Sequence, residues 1–335
     1  EQQNGRRGHS FGIRDEDAEW ESTEDLAVVK ASSWHTIRRL RGRHLEDPIK
    51  EISCMQLVGN YHDNVLGCID VLQDDDYLYT IMPYCEGGDL FGRIMSSPRR
   101  NTPLNGSGSS RRPRTDSPGH SVDEPQARSW FRQLLSALGH LQQKGVCHRD
   151  ISLDNIMVDE NDHLVLIDMG MALRVPYTDP VNYSRVTDVS EGQGRRFIQA
   201  QGQGGKLMYL APEIVNRDEA FDGFAIDLWA SGVVLFVLLV GLAPFKWAHE
   251  SDKRYAKISK GNLREMMEGL NIPISEEACD LLQNMFWRDP AQRLTLAQVE
   301  AHPWVRNKKF AHHKHQPKVS SPMHPALMLR GVIPA

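Results

Sequence analysis

"HRDISLDN" (residues 148–155) sets a His-Arg pair before Asp150 and an Asn five positions after it. Two short apolar runs follow, "NIMV" (155–158) and "LVLID" (164–168), separated by the polar turn 159–163. That pattern predicts a hairpin. Asp168 would then end a buried strand, with Gly170 freeing the chain to turn sharply. An Asp on a loop can orient an attacking hydroxyl, and Asn155 with Asp168 offers the oxygen ligands that suit Mg²⁺. Each residue taken singly also fits an ordinary surface loop.

The rest of the chain bounds what this loop belongs to. The 335 residues are long enough for one large domain or two smaller ones, and 40% hydrophobic with 25% charged residues is a globular balance. A net charge of −5 argues against a general nucleic-acid binder. Five dispersed cysteines without a C-x-x-C pair lead us to expect reduced thiols and a cytoplasmic location. No basic-then-apolar leader opens the sequence. The uncharged stretch "LWASGVVLFVLLVGLAPF" (228–245) is densely apolar only from Val233 to Val240, so a buried core helix is expected rather than a membrane span.

Upstream, "DLAVVKASSW" (25–34) reads as a strand over Leu26–Val29, and "EDPIKEISCMQLVG" (46–59) as a helix. Asp47 is the expected N-cap, Pro48 the first helical residue and Gly59 the stop. "NVLGCIDVLQ" and "YLYTIMPY" read as two strands joined by the acidic turn Asp74–Asp76. The segment 96–126 is rich in Ser, Pro, Gly and Arg, which predicts a disordered insert that could dock an acidic partner or serve as a linker. Ser121 and Glu124 have capping-box spacing ahead of the stripe Trp130, Phe131, Leu134, Leu135, Leu138 and Leu141. From 307 the His-, Lys- and Pro-rich tail reads as flexible.

Taken together, the motifs resemble those of eukaryotic protein kinases over roughly residues 7–306. "HRDISLDN" matches H-R-D-L-x-x-x-N, "DMG" (168–170) D-F-G, "APE" (211–213) A-P-E, and "AVVK" (27–30) V-A-I-K, in the family's order. "IDLWASG" (226–232) and "RDPAQRLTLAQVEAHPW" (288–304) resemble two of its C-terminal helices, and the A-H-P-W ending with the E-G-G-D-L hinge is most similar to the calcium/calmodulin-dependent group. The resemblance implies an α+β bilobal kinase fold. The N-lobe (1–82) would carry a small antiparallel sheet and one helix, and the mainly helical C-lobe would span 83–306. It implies ATP and Mg²⁺ as cofactors and a protein substrate, without a nucleic-acid partner. Asp150 would be catalytic, Asn155 and Asp168 metal-binding, and Lys30 paired with Glu51 would align phosphates. Met82 would back the adenine pocket, with the backbone of Pro83 and Cys85 meeting the adenine edge. Asp227 would brace the loop, Arg293 would pair Glu213, and Met55, Cys68, Met169 and His148 would form a hydrophobic spine. Asp89 and Asp154 would face an arginine upstream of the target hydroxyl, although Asp89 also reads as a helix N-cap.

The sequence departs from the pattern in three places. The glycine-rich lid must fall near "RRGHSFGIR" (6–14), with Gly12 as its last glycine and Arg7 and His9 at its first two glycine positions. Met169 replaces Phe. Ser152 stands where a Lys is usual, and Lys206 where a Thr is usual, as if the hydroxyl and the ammonium had traded places. Lys206 would then supply the missing charge near Asp150 or Ser152. The resemblance makes Asp168–Glu213 the activation segment, in which 190–205 reads as mobile; a phosphate at Thr178, Tyr183, Ser184, Thr187 or Ser190 would order it by pairing with Arg149. The expectation is a serine/threonine kinase acting near upstream basic residues. The alternative is a pseudokinase scaffold with weak ATP turnover, and a tyrosine kinase is disfavoured by the loop and the ending.

Overall fold

The structure is a computed structural model, and it describes residues 9–10, 26–42, 45–60, 62–96, 121–159, 161–175, 177–178, 186–187, 197–199, 204–216 and 220–307. The smaller lobe carries a four-stranded antiparallel sheet built from β1 (His9–Ser10), β2 (Ala27–Ser33), β3 (Asp70–Gln73) and β4 (Tyr77–Pro83), in the order β1-β3-β4-β2. Two helices lie between β2 and β3, α1 (Trp34–Leu40) and α2 (Pro48–Val58). The expectation of one helix here is corrected. Only Arg38 and Arg39 in its last turn mark α1 as helical, and Ser33 makes no side-chain cap bond. Its turns are held instead by Ile37, which is buried with Ile52, Val71 and Leu78. The helix α2 forms where its signals put it. The Asp47 carboxylate accepts from the Ile49 N–H at 2.9 Å, Pro48 opens the helix, and Gly59 closes it at a φ of 77°.

The larger lobe begins at α3 (Leu90–Ser96) and the long α4 (Glu124–Gln143). Short strands β5 (Val146–Cys147), β6 (Ile156–Val158), β7 (Leu164–Leu166) and β8 (Leu173–Arg174) follow, with β6 paired to β7 as the expected hairpin and β5 paired to β8. Next come the paired strands β9 (Tyr177–Thr178) and β10 (Val186–Thr187), then α5 (Pro212–Val215) and α6 (Gly223–Val240). The lobe closes with α7 (Lys253–Ile258), α8 (Leu263–Gly269), α9 (Glu276–Met285), α10 (Leu296–Ala301) and α11 (Pro303–Arg306).

The helix α6 is the axis of this lobe. It is long and apolar enough to cross a membrane, yet 89% of it lies inside the protein, packed against α4 and α9. Trp229, Phe245, Tyr255 and Phe286 cluster around it, with ring centroids 5.1 to 6.3 Å apart. All six stripe residues of α4 are buried.

The insert is shorter than 96–126. Ser96 ends α3, and residues 121–126 are ordered, with Ser121 buried and the Val122 N–H bonded to the Leu238 carbonyl at 3.0 Å. That anchor makes Asp123, not Ser121, the N-cap of α4, accepting from the Gln126 N–H at 2.8 Å. Glu124 then holds the Ser275 N–H and hydroxyl at 2.8 and 2.9 Å and the Trp304 indole at 3.0 Å. Part of the segment expected to be mobile is also fixed, because Ile198 is buried and bridges Phe221 through bonds of 2.9 and 2.8 Å.

Candidate active site

The loop "HRDISLDN" leaves β5 and is held from below by α6. The Asp227 carboxylate accepts from the N–H groups of His148 and Arg149 at 2.7 and 2.8 Å. Burial pushes Asp227 up to about 7, while the two N–H donors favour its ionised form. Arg149 takes a left-handed φ of 70°, a conformation a side chain rarely adopts unless the surroundings impose it. His148 bonds the Ile167 carbonyl through Nε2 at 3.0 Å, and burial lowers its pKa, which favours the neutral ring. The loop is therefore fixed by buried main-chain contacts, and Asp150 projects from it.

Asn155 sits in a single 3₁₀ turn after Asp150. Its amide nitrogen donates to the Asp150 carbonyl at 2.8 Å and carboxylate at 2.7 Å. Both bonds use the nitrogen, so the amide oxygen is the atom available to a hard cation. Asp168 follows the hairpin with a φ of 65° and accepts from the Gly170 N–H at 3.1 Å. Met169 is 1% exposed, buried as the usual Phe would be, in the core that also holds Met55 with Cys68 packed against it. An amide oxygen and a carboxylate are a donor set that fits Mg²⁺, which keeps several waters and shares phosphate oxygens.

Lys30 lies on β2, and Glu51 faces it from α2, with Nζ and Oε2 2.6 Å apart. Glu51 is almost wholly buried, and burial raises its pKa while Lys30 works against that rise. The pair ties the sheet to α2, and the charge of Asp168 also acts on Glu51.

Met82 is buried near the end of β4, opposite Val28 on β2, and Pro83 is exposed opposite Ala27. Burial raises the pKa of the half-buried Cys85 thiol. The connection then runs against β6: a Cβ on Gly87 would lie 1.8 Å from the Val158 carbonyl oxygen, so only glycine fits. Asp89 accepts from the Gly92 N–H at 2.6 Å. Asp89 thus acts as a cap for α3 through this oxygen.

Ser152 and Lys206 are brought together. The Lys206 ammonium donates to the Ser152 hydroxyl at 3.2 Å and forms an ion pair with Asp154. Gly205, just before it, was not read as a site residue. It has a φ of 91°, and a Cβ there would stand 2.9 Å from Asp150 Oδ1. The glycine pair ahead of Lys206 was the available signal. Tyr209 adds a further tie, its hydroxyl accepting from the Leu153 N–H at 3.4 Å. Arg293 grips Glu213 with two bonds of 2.8 and 2.7 Å and lies 4.7 Å over Trp229.

One expectation does not fit. The lid is not where the motif alignment needs it: His9 and Ser10 pair with Gln73 and Leu72, on the edge of the sheet opposite to Lys30's strand. Gly12, Tyr183, Ser184 and Ser190 lie outside the described residues. The Arg149 guanidinium lies 5.5 Å over Phe221 and donates to the Met171 carbonyl at 3.4 Å.

This fold and these pairings are those of a protein kinase domain, and residues 18–305 match the family model described by that name. The chain belongs to the protein kinase domain family. It is 30% identical over 285 residues to CBL-interacting protein kinase 16 of Oryza sativa subsp. japonica, covering 84% of this chain and 51% of that protein. It is 31% identical over 319 residues to serine/threonine-protein kinase cds1 of Schizosaccharomyces pombe, covering 90% and 59%. Calcium-dependent protein kinase 24 of Arabidopsis thaliana is 29% identical over 305 residues, covering 90% and 44%. The chain thus spans about half the length of the curated relatives it matches.

Proposed function

We propose that the chain is a serine/threonine-protein kinase module that transfers the γ-phosphoryl group of ATP to a protein hydroxyl. The closed Lys30–Glu51 pair at 2.6 Å carries this reading, because it ties the ammonium to α2 while Asp227 and Asn155 fix Asp150. ATP would supply the phosphoryl group and Mg²⁺ would offset its charge. Asn155 and Asp168 would hold the metal. Lys30 would bind the inner phosphates, and the Met82, Pro83 and Cys85 stretch would receive the base. Gly12 is proposed for the phosphate lid on the sequence resemblance alone. Asp150 would accept a hydrogen bond from the substrate hydroxyl and aim its oxygen. A substrate arginine reaches Asp154 only by displacing Lys206. The arginines of the insert would suit an acidic docking partner, and the five free thiols suit the cytoplasm.

The experiment is phosphate transfer from Mg-ATP to a serine/threonine peptide library, with Asp150→Asn as the control. The variant is expected to lose at least about 100-fold. Equal, background-level transfer by both proteins would overturn the reading in favour of a scaffold.

A further inference from the structure

We propose that Lys206 is the cation that faces the transferring phosphate, supplied by the segment before A-P-E in place of the catalytic-loop lysine that Ser152 replaces. This deepens the kinase reading and rests on it. Four observations place the charge. Ser152 is fully buried, so the loop offers only a hydroxyl at that point. The Lys206 ammonium has crossed to that hydroxyl from a segment 54 residues away, at 3.2 Å. Gly205, just before it, carries the main chain so close to Asp150 that an added Cβ would stand 2.9 Å from Oδ1, which sets the root of Lys206 beside the catalytic loop. The neighbouring cations have other tasks: Lys30, paired with Glu51, is assigned to the inner phosphates, and the Arg149 guanidinium lies over Phe221 and donates to the Met171 carbonyl.

The ion pair with Asp154 is the resting contact of this ammonium. Both side chains are 46% exposed, so water screens the pair and its contribution is small. A phosphate oxygen in the cleft is a stronger partner, giving a charge-assisted bond in a less watery setting. Lys206 can thus leave Asp154 at little cost and stay bonded to Ser152, which would orient it. The exchange has the chemical logic of the usual pair reversed: the ammonium now comes from the activation segment and the hydroxyl from the catalytic loop.

A purely structural role, pinning the segment to the loop through Asp154, makes a different prediction, and nucleotide binding separates the two. Mg-ATP and Mg-ADP affinities are measured by calorimetry on the whole chain. Lys206→Met is expected to weaken ATP binding about 10- to 100-fold while leaving ADP nearly unchanged, because only ATP carries the contacted phosphate. Asp154→Asn, which removes the resting partner, is expected to keep or raise ATP affinity. In transfer assays the double variant Ser152→Lys with Lys206→Thr should recover turnover that Lys206→Met loses. An unchanged ATP-to-ADP affinity ratio in Lys206→Met would overturn the proposal, as would parallel losses in Lys206→Met and Asp154→Asn. The ratio reads the inference even where the wild type transfers no phosphate, an outcome that sinks the kinase reading alone. Absence of Mg-ATP binding by the wild type would sink both.

Discussion

The side-chain amide of Asn155 donates to both the main-chain carbonyl and the carboxylate of Asp150, at 2.8 and 2.7 Å. One residue therefore fixes the direction of the Asp150 carboxylate and leaves its own amide oxygen available to the metal of the proposed function. Asn155→Ala removes both services. Transfer should fall at least about 100-fold, and the Mg²⁺ concentration needed for half-maximal rate should rise. A magnesium titration of initial rates checks this, and an unshifted midpoint would remove Asn155 from the metal site.

Under the proposed function, the Lys30–Glu51 pair should give phosphate transfer an acid limb. Burial, the largest cause, puts the Glu51 pKa above its ordinary 4.5. Activity needs the ionised carboxylate, so kcat/KM should fall as pH is lowered through that raised value. Glu51→Gln should lose the limb and about 100-fold of neutral-pH activity, since Lys30 is then misplaced. For stability the sign is opposite. A folded pKa above the unfolded one contributes most below 4.5, and the contribution disappears as pH rises through the folded value. Rate and denaturation profiles of the two proteins test both signs.

Arg293 and Glu213 are 2% and 9% exposed and meet through two hydrogen bonds. Arg293→Met strands the carboxylate and should cost about 3–5 kcal/mol in urea unfolding. Replacing both residues by Met should cost less, because no buried charge is left alone. A double variant as unstable as Arg293→Met would show that the cation over Trp229, not the ion pair, is what the lobe depends on.

The groups that carry their own local signal were legible in the sequence. Asp47, Pro48 and Gly59 delimit α2, and that places Glu51 opposite Lys30. The hairpin around 159–163 places Asp168. What escaped depends on contacts between distant segments. The choice of Asp123 over Ser121 as cap is made by the bond from Val122 to Leu238, far along the chain. The helix α1 is seven residues long with no side-chain cap, too short for its periodicity to show against the strand before it. The segment around His9 was assigned by motif alignment, and strand pairing put it on the other edge of the sheet.

Gly205 is the sharpest case, and it yields the last prediction. An added Cβ would meet Asp150 Oδ1 at 2.9 Å and Leu210 Cδ2 at 3.5 Å. The carboxylate cannot swing away freely, because Asn155 holds it at 2.7 Å. A φ of 91° is itself unfavourable for alanine. Gly205→Ala must therefore shift either Asp150 or the strand of chain that carries Lys206. Roughly 1–3 kcal/mol of stability should be lost to the backbone conformation. A displacement near 1 Å at the reacting groups should lower kcat about 100-fold. ADP affinity should hold, since the atoms the added Cβ meets belong to Asp150, Leu210 and Arg149 and not to Lys30 or Met82. Gly269→Ala is the matched control, with nothing within 4 Å of its added Cβ, and it should leave turnover intact. Equal kcat in the two alanine variants would show that the catalytic loop tolerates this crowding and that the close approach of Gly205 is not what sets the Asp150 geometry.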